Sequence, residues 1–130
     1  MQAQIMYIEE KPDDLKGEGR IGLVGFSKTG KTLYFQGRVL AKTSSALKAN
    51  YFDEDTGDYF WISRPTRTGE DSLFPALVRI DPDVRVEYWT EIRKSPSRAA
   101  ETEFRSPGRS KTEKEKMEKG LRRRGMDSGW

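Results

Sequence analysis

Residues 25–32 read GFSKTGKT and satisfy the pattern G-x-x-x-x-G-K-[ST] through Gly25, Gly30, Lys31 and Thr32. In a phosphate-binding loop, backbone N–H groups wrap the phosphates, the lysine reaches the terminal ones and the hydroxyl binds Mg²⁺. That chemistry needs a strand before the loop and a helix after it. Ile21–Val24 supplies the strand, but Leu33–Gly37 (LYFQG) is aromatic, broken by glycine and suited to β structure. A nucleotide hydrolase also needs crossover helices on a parallel sheet, and the chain has one good helical pattern. A hairpin with Thr29-Gly30 at its tip is therefore expected. Lys28 and Lys31 then face each other across the turn, so phosphate or nucleotide binding at Gly30, Lys31 and Thr32 stands as the least favoured alternative.

Asp53, Glu54, Asp55 and Asp58 cluster around Gly57. A calcium loop of the EF-hand type requires D-x-[DN]-x-[DN]-G with a later glutamate, and this spacing does not meet it. Asp and Gly are turn residues, so a wet hairpin tip is expected, with no catalytic role for the carboxylates.

Tyr34, Phe35, Tyr51, Phe52, Tyr59, Phe60 and Trp61 form the most prominent constellation. Successive side chains of a strand point to opposite faces, so one member of each adjacent pair enters the core and the other faces outward. Aromatic rings on a small sheet can stack unpaired bases. On that reading Tyr34, Tyr51, Tyr59 and Trp61 bind, and Arg38, Arg64 and the basic Arg122, Arg123 and Arg124 contact phosphates, with Lys42 and Arg67 as further candidates. Against it stands the charge of the region that holds the aromatics. Residues 1–93 contain 13 Lys/Arg and 15 Asp/Glu, a net of −2, whereas residues 94–130 contain 11 and 6, a net of +5. A nucleic-acid footprint should be basic, so the tail has to carry it.

The 130 residues suit a single domain. Apolar residues make up 34% and charged residues 35%, against roughly 45–50% and about 25% in average proteins, so a core filling the whole length is not expected. No run approaches the ~18–20 apolar residues of a membrane span. MQAQIMYIEE lacks the basic start and apolar stretch of a secretory signal, and a cytoplasmic location is expected. With no cysteine or histidine, disulfides, thiol and imidazole chemistry and the usual zinc ligands are removed. No metal or cofactor is expected.

The elements that must position these residues follow from pattern. A strand is expected near Gln4–Glu9, a polar loop over Lys11–Gly19, and strands over Arg20–Ser27 and Thr32–Leu40. Ala49–Asp53 and Asp58–Ser63 form a second hairpin, and Leu77–Ile80 a further strand. Asp81 suits a helix N-cap, Pro82 the first helical position, and Val84, Tyr88 and Ile92 recur at spacing four, which predicts a helix over about 81–93. Pro and Ser then begin at Lys94-Ser95-Pro96, and the chain becomes too polar to offset its ordering entropy. Residues 1–93 are therefore read as a mainly β domain, a small antiparallel sheet or partly open barrel with one C-terminal helix. Residues 94–130 are read as a disordered basic tail, in which Ser110–Arg124 has the charge pattern of a solvated helix.

The strings Arg20-Ile21-Gly22, Phe26-Ser27-Lys28-Thr29-Gly30, Ala49-Asn50-Tyr51-Phe52-Asp53, Tyr88-Trp89-Thr90 and Glu91-Ile92-Arg93 occur in the order found in a group of short bacterial proteins of uncharacterised activity. The chain resembles that group over about residues 6–94. A Thr often stands at the Gly25 position there and an Arg at the Lys31 position, which implies that the phosphate-loop match is particular to this sequence. Such proteins are sometimes labelled deoxyxylulose-phosphate synthase. That enzyme is a large thiamine-diphosphate protein, and 130 residues cannot build its cofactor cleft. The leading expectation is a non-enzymatic interaction module with a protein partner and no membrane role. Binding of single-stranded RNA or DNA through the aromatic face and tail is the alternative.

Overall fold

The computed structural model describes residues 2–11, 19–44, 49–72 and 74–108. Eight strands form one sheet: β1 Gln2–Lys11, β2 Gly19–Phe26, β3 Thr32–Phe35, β4 Arg38–Lys42, β5 Tyr51–Asp53, β6 Tyr59–Ser63, β7 Ala76–Ile80 and β8 Glu103–Ser106. Strands β1 to β6 pair in sequence, all antiparallel, and β1 pairs with β6 as well as β2, so the six close into a barrel. Closure removes the exposed strand edges of an open sheet. The long β1 makes this possible, because Tyr7–Glu9 is shared between Ile21–Gly19 on one side and Ser63–Trp61 on the other. Beyond the barrel, β7 runs parallel to the start of β2 and β8 pairs antiparallel with β7.

Alternation sorts the side chains. Met6, Ile8, Val24, Leu33, Phe35, Leu40, Phe60 and Ile62 fill the barrel. Residues of opposite parity on β1, β2 and β6 face outward, where Tyr7 and Ile21, with Ile5 and Trp61 at the margin, meet Val78, Ile80, Val84, Tyr88, Trp89 and Phe104. This second core lies outside the barrel wall.

Its cover is helical but short and irregular. A 3₁₀ turn (Pro82–Val84), an α-helical turn (Arg85–Glu87) and a π-helical turn (Tyr88–Ile92) follow one another. The expected N-cap is absent, for Asp81 makes no side-chain cap bond and turns its carboxylate to Arg20 instead. The π turn, closed by the Arg93 N–H on the Tyr88 carbonyl at 3.0 Å, leaves consecutive Tyr88 and Trp89 both fully buried. Burial raises the Tyr88 phenol's pKa, against the pull of the hydrogen bond from Arg93.

Two expectations about element limits are corrected. Thr32–Leu40 is two strands, because Gln36 (φ 49°) and Gly37 (φ 77°) make a two-residue turn between β3 and β4. Both central positions have positive φ, as in a type I′ turn, and glutamine there is not a usual turn signal. Gly37→Ala places a Cβ in the left-handed region and should cost about 1–2 kcal/mol, read as a lower urea midpoint at unchanged slope.

The fold also continues past Lys94. A 3₁₀ turn at Pro96–Arg98 and strand β8 follow, and Phe104 is buried against the helical segment. Polar composition hid this strand, since only alternate residues of EFRS enter the core. The expected loop at residues 12–18, the Ser110–Arg124 helix and Arg122–Arg124 lie outside the described residues.

Candidate functional site

Two arginines stand at inward positions at one end of the barrel, whose packed interior is apolar. Arg20 precedes Gly22 and Val24 on the inward face of β2, and Arg38 precedes Leu40 on that of β4. Each lies over an aromatic ring, Arg20 over Phe35 at 5.5 Å and Arg38 over Phe60 at 4.7 Å. Each is held by carboxylates. Arg38 Nε donates to Asp53 Oδ2 at 2.7 Å, and Nη2 donates to Asp58 Oδ2 at 2.7 Å and Thr56 Oγ1 at 3.1 Å. Arg20 Nε donates to Asp81 Oδ1 at 2.5 Å, and Nη1 donates to Gln36 Oε1 at 3.3 Å.

The acidic hairpin is thereby explained. Asp53 Oδ1 accepts the amides of Asp55 at 2.9 Å and Thr56 at 3.4 Å, shaping the turn, while Oδ2 faces Arg38. Burial works against the Arg38 charge, but the bonds to Asp53 and Asp58 and the nearby Glu10 outweigh it and raise its pKa. The Arg38 hydrogen bond, opposed by burial and aided by the two amides, holds Asp53 below the usual carboxylate range. Asp58 is lowered first by the Thr56 hydroxyl and then by Arg38. Groups depressed on folding contribute stability above their unfolded pKa of about 3.9, and lose it as pH falls through the folded value. The urea midpoint should therefore drop as the pH is taken below about 4, and Asp53→Asn should flatten that drop while lowering the midpoint at neutral pH.

Close approach at this end depends on Gly22. A Cβ there would stand 2.7 Å from Asp81 Oδ2 and 3.1 Å from the Phe35 ring. Arg79 and Arg85 complete a cavity of about 910 Å³ at the barrel mouth, which Glu10 and Glu103 also line.

Among the described residues, those singled out from sequence are not assembled into one platform. Tyr51 points into the barrel and donates its hydroxyl to the Gly30 carbonyl at 3.1 Å, and Trp61 packs beside the outer core. Tyr34 and Tyr59, with Phe52, face outward. Arg38 is at the mouth and bound to carboxylates, while Arg64 is exposed on the chain leaving β6. The Gly25–Thr32 segment is an antiparallel hairpin followed by β3. Its amides are already used: Gly30 donates to the Ser27 carbonyl at 3.0 Å, Lys31 to Thr29 Oγ1 at 3.4 Å and Thr32 to Ser27 Oγ at 3.2 Å. No helix follows to present N–H groups to a phosphate.

Sequence reasoning missed Arg20, Phe35, Asp81 and Arg85 at the mouth. The available signal was parity, since Arg20 shares a face with Val24 and Arg38 with Leu40, and a cation on the apolar side of a strand end needs a partner.

A second feature is the bare outer wall. The outward positions of β3, β4 and β5 are Thr32, Tyr34, Val39, Ala41 and Phe52, and Tyr59 continues the row on β6. None is charged. Val39 is 47% and Tyr59 40% exposed, and the Phe52 and Tyr59 rings lie 6.4 Å apart. The helical segment, β7 and β8 cover the wall formed by β1, β2 and β6 instead.

Compared with protein-family models, curated proteins and solved structures, this chain has no match. Among the described residues no helix is long and apolar enough to cross a membrane.

Proposed function

We propose that the chain is a non-enzymatic interaction module that binds another protein through the outer wall of β3, β4 and β5. The observation that carries this reading is the run of uncharged outward residues, from Tyr34 and Val39 to Phe52 and Tyr59, on strands that the helical segment, β7 and β8 leave uncovered. A solvated barrel wall alternates apolar-in with polar-out. Contiguous apolar exposure on a folded domain marks an interaction surface, and interface cores are rich in aromatics and poor in charge.

Charge selects the class of partner. A surface that tracks a phosphate backbone interleaves cations with its aromatics. The outward positions of β3, β4 and β5 hold no lysine or arginine, and Arg38 is turned inward and bound to Asp53 and Asp58. An apolar patch on a protein complements this wall better than a polyanion does. The two best-placed carboxylates argue against acid–base catalysis, since Asp53 and Asp58 are held ionised by Arg38 and Thr56 rather than poised near neutral pH.

The test is photo-crosslinking in cells, with the photoreactive residue at Val39 or, as control, at Val86, which is 62% exposed on the helical segment. A single protein adduct from Val39 and none from Val86 is expected. Adducts to RNA or DNA, adducts of the chain to itself alone, or equal labelling from both positions would overturn the reading.

A further inference from the structure

The barrel mouth is a second site, independent of the outer wall. Its cavity of about 910 Å³ falls in the size range of small-molecule sites, about 300–1,000 Å³, which recur in the mouths of β-barrels. Its lining carries four arginines and three carboxylates, unevenly placed. Arg38 is compensated by Asp53 and Asp58 from outside the lining, with Glu10 at 3.7 Å. On the other side, Arg20 and Arg79 are register partners on adjacent parallel strands, which brings two cations together in the lining. Asp81 answers Arg20 through a single nitrogen.

Arg85 carries the argument further. Its Nη2 donates to the Ile80 carbonyl at 3.2 Å, its Nε is buried with no hydrogen-bond partner, and among the described residues it forms no salt bridge. A guanidinium at a cavity wall with no carboxylate paired to it favours an anion there. An oxyanion in the cavity supplies its counter-charge. Guanidinium groups match carboxylate and phosphate oxygens with two parallel bonds and also stack on flat rings. Arg20 and Arg38 are already fixed over Phe35 and Phe60, so they are ordered before a ligand arrives.

We propose that the barrel mouth binds a small planar organic anion, its carboxylate or phosphate on Arg85 and Arg20 with the Arg79 charge beside them, and its ring against the guanidinium faces. Glu103, the register partner of Arg79, then opposes the ligand by charge.

Calorimetry and chemical-shift titration of the full chain at low salt test this with phenyl phosphate, benzoate and inorganic phosphate. Phenyl phosphate or benzoate should bind more tightly than inorganic phosphate, and whichever of the two binds better identifies the oxyanion. Arg85→Gln should weaken the complex about tenfold or more, while Glu103→Gln should tighten it about threefold, since it removes a repelling charge. A purely structural Arg85 does not predict the tightening. Absence of binding by both aromatic probes, unchanged affinity in Arg85→Gln, or equal affinity for inorganic phosphate would overturn the proposal. The Val39 crosslinking result bears on none of these outcomes.

Discussion

Phe104→Ala should destabilise the domain by about 3–5 kcal/mol, the range for removing a buried aromatic side chain. Phe104 is 6% exposed. Its ring stacks on Tyr88 at 5.8 Å, meets Trp89 edge-on at 5.8 Å, and carries the Arg93 guanidinium at 4.7 Å. Truncation leaves a void lined by Tyr88, Trp89 and Val78, and the neighbouring main chain is pinned by the Trp89 indole N–H on the Glu101 carbonyl at 2.9 Å, so the site cannot collapse cheaply. Equilibrium urea unfolding reads the loss. A residue in an unfolded tail costs nothing when truncated, so the same experiment decides whether residues 95–108 belong to the domain.

The second large effect concerns association. Val39→Glu with Tyr59→Glu should reduce affinity for the protein recovered at Val39 by about 100-fold or more, near 3 kcal/mol, because two charges are forced into an apolar contact. Both side chains face outward and are partly exposed, so stability should move by about 1 kcal/mol or less. Loss of binding at an unchanged melting temperature separates an interface role from a folding role, and a binding assay beside a thermal melt measures both.

Much of the barrel was legible. The β5–β6 hairpin follows from Asp53 through Gly57, where turn chemistry and positive φ coincide. The helical stripe of Val84 and Tyr88 follows from spacing, and Trp89 joins it in the core through the π turn. The β3–β4 turn was hidden because Gln36 takes a conformation that glutamine rarely adopts. Strand β8 was hidden because Phe104 is a lone aromatic among charges, and its burial depends on the helical segment passing over it. The mouth could not be assembled from local pattern at all. Glu10, Arg20, Arg38, Asp81 and Glu103 meet only once β1 has closed the barrel and β7 has extended it. The acidic turn looked like a wet tip because its partner, Arg38, is fifteen residues away from Asp53. The aromatics were correctly read as alternating, but alternation alone cannot tell an outward ring that stays exposed, as at Tyr59, from one that packs on a second core, as at Trp61.

The most direct measurement is the affinity of the purified chain for the protein recovered at Val39, taken across a salt series. An uncharged wall predicts a dissociation constant that changes less than about threefold between 50 and 200 mM salt and is raised about 100-fold by the double glutamate variant. A fall in affinity of about 10³-fold or more over that range, the signature of phosphate contacts, or indifference to the variant, would contradict the assignment of the outer wall as a protein-binding surface.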